Sequence, residues 1–121
     1  MVRVVQISDT HLSPAKTHFA VNWAPLRDWV VAQDADLTIH TGDVTVDGAD
    51  IEDDMREVAA LMHALPGKFL AVPGNHDVGQ AGTPHQPVNA ERLTRWRRHF
   101  GHDWWSHDVE NWRLIGIDSM L

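Results

Sequence analysis

Residues 2–11 read VRVVQISDTH, an apolar run of β-formers that ends in an aspartate and a histidine. The same succession recurs at residues 37–43, which read LTIHTGD, and at residues 69–77, which read FLAVPGNHD. Each apolar run predicts a buried strand, and the polar residues after it mark the loop in which that strand ends. The sequence therefore predicts three strands, each followed by a loop that carries chemically reactive side chains.

The three polar phrases are evenly spaced along the chain. His11 and Asp43 are 32 residues apart, and so are Asp43 and Asn75. Such an interval holds one strand, one crossover helix and their loops, which predicts parallel β-α-β-α-β pairing with right-handed crossovers. Because the carboxyl ends of parallel strands meet at one sheet edge, we expect the three phrases to converge there.

Helical patterns fill both crossovers. Leu26, Trp29 and Val30 predict one face of a first helix, with Asn22 as its cap and Pro25 in its first turn. A second helix is predicted to begin in an acidic stretch near Asp50, where the helix dipole favours negative charge. Its apolar stripe comprises Ile51, Met55, Val58, Met62 and Leu65.

The last third of the chain predicts a helix and a hairpin. Leu93, Trp96 and Phe100 give a helical pattern that ends at Gly101, and residues 104–109 and 112–118 then alternate as paired strands. Residues 114–117 are apolar enough to predict a strand buried on both faces. We therefore expect one domain over residues 1–121, with further residues missing on its C-terminal side.

The composition is that of a globular protein, with 43% hydrophobic residues, no cysteine and a net charge of -7. Residues 1–90 hold 5 basic and 12 acidic groups, a balance that disfavours nucleic-acid polymers and suits cations. Without thiolates, any metal must be held by oxygen and imidazole ligands. No apolar stretch is long enough to span a membrane, which predicts a cytoplasmic protein without a membrane partner. The basic side chains of one helix predict a solvated face: Arg92, Arg95, Arg97 and Arg98.

The first two phrases carry candidate metal ligands. On an extended segment the side chains of Asp9 and His11 point to the same side, so both can bind one cation. The alternative interpretation is that Asp9 caps a turn. Asp43 follows Gly42, whose backbone freedom permits a tight turn that exposes the carboxylate. One carboxylate can bridge two cations, and the alternative is again a loop-capping role.

The third phrase, residues 74–77, combines an amide, an imidazole and a carboxylate after a glycine. Asn75 can ligate a metal through its side-chain oxygen, and His76 can act as an acid or hydrogen-bond donor beside a substrate. Asp77 can then orient the imidazole of His76. The alternative is a turn that is merely rich in turn-forming residues.

Residues 7–12, 41–43 and 72–77 together resemble the first three motif blocks of the calcineurin-like metallophosphoesterases. Within that family they are most similar to the class III cyclic-nucleotide phosphodiesterase branch, and residues 104–119 resemble the strand pair that follows. The resemblance covers essentially the whole chain. It implies an α/β fold that forms the N-terminal half of the family's β-sandwich flanked by helices.

The resemblance also implies a role for each candidate residue. Asp9 and His11 would bind a first metal, Asp43 would bridge, Asn75 would bind a second metal, and His76 backed by Asp77 would assist the leaving group. The cofactors would be two divalent ions, manganese, iron or zinc. The activity would be hydrolysis of a small-molecule phosphoester, such as a cyclic nucleotide, by a hydroxide that the two metals activate.

One departure from the family pattern bears on activity. The family completes its site with three later histidines, and Gly101-His102 precedes the hairpin instead of following a later strand. We therefore expect weak metal binding and low turnover from this chain alone, unless a homodimer or domain-swapped partner supplies ligands.

Two other functions fit the same pattern less well. A receiver-like signalling domain would need a late lysine, and none follows Lys68. A non-catalytic scaffold with this fold would have no need of the candidate ligands. The six tryptophans predict core and cover residues, and the remaining histidines predict surface or partly buried side chains.

Overall fold

The computed structural model describes all 121 residues and confirms the predicted α/β fold class. Three strands and two helices alternate in the expected order: β1 (Val4–Ile7), α1 (Trp23–Ala32), β2 (Leu37–His40), α2 (Glu52–His63) and β3 (Lys68–Ala71). The strands pair in parallel in the order β1-β2-β3, with Ile7 beside His40 and His40 beside Ala71 at their carboxyl ends. These carboxyl ends therefore form one edge, as the spacing of the polar phrases predicted.

The second half of the chain adds two helices and an antiparallel hairpin. Its elements are α3 (Asn75–Val78), α4 (Ala90–Phe100), β4 (Trp105–Val109) and β5 (Trp112–Gly116). The core lies between the sheet and the helices and includes Val30 of α1, Met55 and Met62 of α2, and Trp96 of α4, all fully buried. The predicted helix before Gly101 and the predicted hairpin are thus both confirmed.

The entry into α1 differs from the prediction. A 3-10 helix at Thr17–Asn22 leads directly into α1, and Asn22 has helical dihedral angles and no capping hydrogen bond. The backbone N–H of Trp23 already donates to the carbonyl of Ala20, so this end of α1 has a backbone partner from the preceding turn. The boundary was predicted correctly, and the capping role of Asn22 was wrong.

The buried face of helix α1 contains fewer residues than predicted. Val30 is buried and Leu26 is half-buried, whereas Trp29 is 51% exposed. Residues four apart share a helix face, but Trp29 lies about 100° around the helix from Val30 and falls outside the contact with the sheet. Trp104 and Trp112 are also exposed, so the prediction that the tryptophans form core and cover holds only in part.

The predicted stripe of α2 is correct except at its first residue. Met55, Val58, Met62 and Leu65 are buried, but Ile51 is 41% exposed because it precedes the helix in extended conformation. Asp54, in the acidic first turn, is also buried. Its two carboxylate oxygens accept hydrogen bonds from the hydroxyl of Ser13 and the backbone N–H of Asp47.

Only one face of the hairpin is packed, which corrects the prediction of a strand buried on both faces at residues 114–117. Trp105 lies against Gly116, and its indole N–H donates to the carbonyl of Ala71 at 2.7 Å, which fixes the hairpin to the end of β3. Ile115 and Ile117, on the opposite face, are 67% and 70% exposed.

The basic cluster of α4 is a solvated face only in part, because Arg97 and Arg98 are exposed whereas Arg92 and Arg95 are not. Arg92 pairs with Asp50, Arg95 pairs with Glu52, and the side chains of both arginines are mostly buried. Arg97 pairs with Asp103 at 2.6 Å. Arg98 is 60% exposed and lies 3.4 Å from Glu52. Because each of the four arginines has an acidic partner, the cluster offers little unpaired basic surface for nucleic acid. No helix in the structure combines the length and apolar character needed to cross a membrane.

Candidate metal centre

The three polar phrases meet at the carboxyl edge of the sheet. Ligand atoms of His11, Asp43 and His76 all lie within 4.8 Å of one another. The Nε2 atom of His11 is 3.8 Å from Oδ2 of Asp43 and 3.7 Å from Oδ1 of Asp9. One residue from each of the three phrases therefore contributes to a single cluster, and Asp9 lies beside it.

The backbone that creates this convergence is not the extended segment that the sequence suggested. Asp9, His11 and Asp43 have φ angles of 55°, 45° and 54°, in the left-handed region that is uncommon for residues other than glycine. The backbone N–H groups of Asp9 and His11 donate to the carbonyls of Gly42 and Asp43, which joins the first two loops. Such strained positions persist where surrounding contacts fix them, as at ligand sites.

Two glycines allow the second and third loops to approach each other. Gly42 has a φ of 114°, and a Cβ added to it would lie 3.0 Å from the backbone nitrogen of Gly74. A Cβ on Gly74 would overlap the carboxylate and backbone of Asp43. Both positions therefore require glycine for the contact between loops, and the contact places Asp43 in the middle of the cluster.

Asp43 faces both neighbouring loops. Its Oδ2 atom lies toward His11, and its Oδ1 atom accepts a hydrogen bond from the backbone N–H of His76 at 3.1 Å. The side chain is 17% exposed. A carboxylate with one oxygen on each side is suited to the predicted bridging role.

The imidazole of His76 is oriented by a backbone carbonyl. Its Nδ1 atom is 2.6 Å from the carbonyl oxygen of Val46, which can only accept, so Nδ1 carries a proton and donates it. The Nε2 atom is therefore the free nitrogen of this ring. The ring also lies edge-on to that of His11, with 4.6 Å between centroids.

Asp77 has a different role from the predicted one. It is fully buried, and its carboxylate accepts hydrogen bonds from the backbone N–H groups of Gly74, Val44 and Thr45 and from the Thr45 hydroxyl, at 2.7 to 3.1 Å. Burial raises the pKa of the Asp77 carboxyl, and these hydrogen bonds oppose the rise. Asp77 therefore joins the second and third loops, and the prediction that it orients the imidazole of His76 is wrong.

Asp9 and Asn75 lie at the edges of the cluster. The side chain of Asp9 is 64% exposed, and its Oδ2 atom accepts a hydrogen bond from Ser8. Asn75 is the first residue of α3 and is half-buried. The hydrogen bonds from this turn to the second loop involve His76 and Asp77, which leaves the Asn75 amide available to a ligand.

His40 connects the first two loops from inside the core. The backbone N–H of Gly42 donates to Nδ1 of His40, so the ring proton lies on Nε2 and is donated to the hydroxyl of Thr10. That hydroxyl in turn donates to the carbonyl of Val44. Burial lowers the pKa of His40 to about 4, so the ring is neutral at pH 7. The predicted packing role of His40 is confirmed.

We expect the free energy of unfolding to decrease as the pH is lowered, because His40 is buried in its neutral form. The unfolded chain takes up a proton on this histidine near pH 6.5, whereas the folded chain does so only near pH 4. The free energy of unfolding should therefore fall by about 2 kcal/mol between pH 7.5 and pH 5 from this residue alone. Urea denaturation at the two pH values measures the change.

The matched variant is His40→Gln, whose side chain cannot take up a proton in this range. It should be less stable than the wild type at pH 7.5 but should lose less stability on the way to pH 5. An equal loss in both proteins would show that His40 does not cause the pH dependence.

The other histidines lie outside the cluster. His102 is exposed, and its ring faces Trp104 with 5.7 Å between centroids. His99 is bound to Glu52 at 2.6 Å, and His63 contacts the carbonyl of His99. His18, His85 and His107 are exposed or half-buried. None of them joins His11, Asp43 and His76, in agreement with the prediction from sequence.

The donor set fits a divalent cation. The imidazole of His11 and the carboxylate of Asp43 lie close enough to share one ion, and manganese, iron and zinc all accept such nitrogen and oxygen ligands. The imidazole of His76 lies within 4.8 Å of both. The glycines at positions 42 and 74 hold these donors in place. The geometry thus supports a metal site without selecting one metal.

Comparison with known proteins gives one finding about the family. The family model described as calcineurin-like phosphoesterase matches residues 2–118, which is nearly the whole chain. No curated protein matches the sequence.

Proposed function

Because the chain belongs to the calcineurin-like phosphoesterase family, we propose that it acts as a hydrolase of small-molecule phosphoesters that depends on two divalent metal ions. The observation that carries this proposal is the convergence of His11, Asp43 and His76, one from each motif loop, within 4.8 Å. The sheet edge at which they meet is where open α/β folds bind their ligands.

The proposed ligands divide between two metal positions. Asp9 and His11 would hold the first ion, Asn75 would hold the second, and Asp43, which has one oxygen toward each neighbouring loop, would serve both. When bound, the metals would supply Lewis-acid polarisation of the phosphoryl group and of the attacking water. These four residues supply few ligands for two ions, so we expect weak metal binding.

His76 is proposed to act at the leaving group. Val46 holds Nδ1 of the imidazole, so Nε2 is the nitrogen that can face a substrate. In hydrolysis a water oxygen forms a bond to phosphorus as the ester P–O bond breaks, and the departing alkoxide needs a proton. A protonated His76 can donate that proton from Nε2 while Nδ1 remains bound to Val46.

We propose that the chain is nearest the class III cyclic-nucleotide phosphodiesterase branch, on the similarity of the three motif blocks, and that its substrate is either a diester or a monoester. The net charge of -7 and the neutralised arginines of α4 support a small substrate in preference to a nucleic-acid polymer. The preference between diester and monoester is open to direct measurement.

Metal-dependent hydrolysis tests the proposal. The chain is treated with a chelator, titrated with Mn²⁺ in a calorimeter, and assayed with bis(p-nitrophenyl) phosphate and with p-nitrophenyl phosphate. We expect weak Mn²⁺ binding that raises the melting temperature, slow hydrolysis of at least one of the two esters, and no hydrolysis without metal. A folded chain that binds no divalent cation would contradict the proposed function, and the relative rates on the two esters distinguish a diester substrate from a monoester substrate.

A further inference from the structure

A pocket of about 230 Å³ lies directly beside the candidate metal centre. One wall is the loop after β1, including Ser8 and Asp9, and the other is the 3-10 helix and the start of α1, including Phe19, Asn22 and Trp23. Apart from Asp9, the residues that line it have no part in the metal binding or the leaving-group role assigned above. Its volume is below the roughly 300 Å³ at which sites for whole small molecules begin, so it is suited to one substituent of a larger ligand.

The pocket and the metal centre share residues. Asp9 lines the pocket, and its Oδ1 atom is 3.7 Å from Nε2 of His11. Phe19 lines the pocket as well, and its ring centroid is 5.6 Å from that of His11. A phosphoester whose phosphoryl group lies against His11 would therefore have its organic part at the mouth of this pocket.

The lining favours an uncharged ring. Half of the eight lining residues are hydrophobic, and two of them, Phe19 and Trp23, are aromatic. Phe19 is 42% exposed, which is high for a phenylalanine and leaves its ring accessible to a ligand. Aromatic rings pair favourably with other rings in stacked or edge-on arrangements.

The polar part of the lining disfavours negative charge. No lysine or arginine lines the pocket, and the carboxylate of Asp9 does. Asn22 forms no capping hydrogen bond with α1, so its amide is available to a neutral polar group on a ligand. A second phosphate or a carboxylate would have no basic side chain to pair with there and would lose solvation against the hydrophobic half of the lining.

We propose that this pocket binds an uncharged, ring-bearing substituent of the phosphoester and so determines which esters the protein accepts. The proposal rests on the function proposed above, because the phosphoryl group must lie at the metal centre. Esters with small alkyl groups and esters with anionic substituents are then poor ligands.

Binding of matched esters tests the proposal without requiring turnover. The full chain with Zn²⁺ is titrated with phenyl phosphate, methyl phosphate and 4-carboxyphenyl phosphate, and the indole N–H of Trp23, assigned with Trp23→Phe, is followed by NMR. We expect phenyl phosphate to bind about tenfold more tightly than methyl phosphate and to shift the Trp23 signal. The carboxylated ester should bind no better than methyl phosphate.

Two variants of the 3-10 helix provide the matched comparison. Phe19→Ala should reduce the preference for phenyl over methyl phosphate to less than about threefold, because it removes one aromatic wall. Val21→Ala alters a residue that is 78% exposed and does not line the pocket, and should leave the preference unchanged.

Different results would overturn the pocket and the function. Equal metal-dependent binding of phenyl and methyl phosphate, or an unchanged preference in Phe19→Ala, would overturn the pocket proposal alone. Benzyl alcohol, a ring without a phosphate, is added to a separate protein sample without metal. If neither ester binds in the presence of Zn²⁺ but benzyl alcohol shifts the Trp23 signal, the proposed function is overturned. The assignment of the pocket to a phosphoester then fails with it.

Discussion

Replacing Asp43 with asparagine is expected to lower metal-dependent hydrolysis, and the affinity for Mn²⁺, by about 100-fold or more. Asp43 is the residue whose two oxygens face both neighbouring loops, with Oδ2 toward His11 and Oδ1 on the backbone N–H of His76. Asparagine has nearly the same shape but no charge, and if its oxygen keeps the hydrogen bond from the backbone N–H of His76, an amide NH2 that cannot bind a metal replaces the oxygen toward His11. The variant should therefore fold and lose the centre of the metal site. Calorimetric titration and initial rates on bis(p-nitrophenyl) phosphate measure the two losses.

His102→Ala is the matched control for that experiment. His102 belongs to the one glycine-histidine phrase of the chain that resembles a later family motif, but it is exposed and lies outside the cluster. Its removal should leave Mn²⁺ affinity and hydrolysis nearly unchanged. Equal losses in Asp43→Asn and His102→Ala would show that Asp43 is not at the centre of the metal site.

The sheet and the convergence of the motifs were predictable because both follow from local patterns. The apolar runs that became β1, β2 and β3 are short and rich in β-formers, and the equal spacing from His11 to Asp43 and to Asn75 leaves room for one crossover helix each. Parallel strands joined in this way must end at the same edge. The sequence alone therefore predicted that one residue of each phrase lies at the same edge of the sheet.

The backbone conformation at the site was not predictable in the same way. Left-handed φ angles have a strong sequence signal only at glycine, and here Asp9, His11 and Asp43 adopt them. They are imposed by contacts between loops that are far apart in sequence, such as the hydrogen bond from Asp9 to Gly42. Asp9 and His11 thus approach each other as expected, but for a reason that no local pattern contains.

The role of Asp77 in joining the two loops was not predicted from sequence. The adjacent His76 suggested instead that the two side chains would contact each other. Once residues 75–78 form a helical turn, successive side chains point about 100° apart. His76 then faces the sheet edge, and Asp77 turns into the interior, where Val44, Thr45 and Gly74 present donors. An acid beside a histidine in sequence is therefore weak support for a contact between their side chains in a helix.

Replacing Asp77 with alanine is expected to lower the free energy of unfolding by about 3 to 5 kcal/mol. The change removes a buried acceptor and leaves three backbone N–H groups and the Thr45 hydroxyl without their partner. The second and third motif loops would lose their main polar link, so metal binding should weaken together with stability. Urea denaturation at pH 7.5 measures the first effect, and Mn²⁺ titration of the fraction that remains folded measures the second.

Asp53→Ala is the control, because Asp53 is a mostly exposed acid in the first turn of α2 that pairs with Arg56. Exposed pairs of this kind add little to stability, so the urea midpoint should stay close to that of the wild type. A direct catalytic role of Asp77 predicts the opposite pattern for Asp77→Ala, with activity lost and stability kept. That result would show that the hydrogen bonds of Asp77 do not hold the loops together and would restore the role suggested by the sequence.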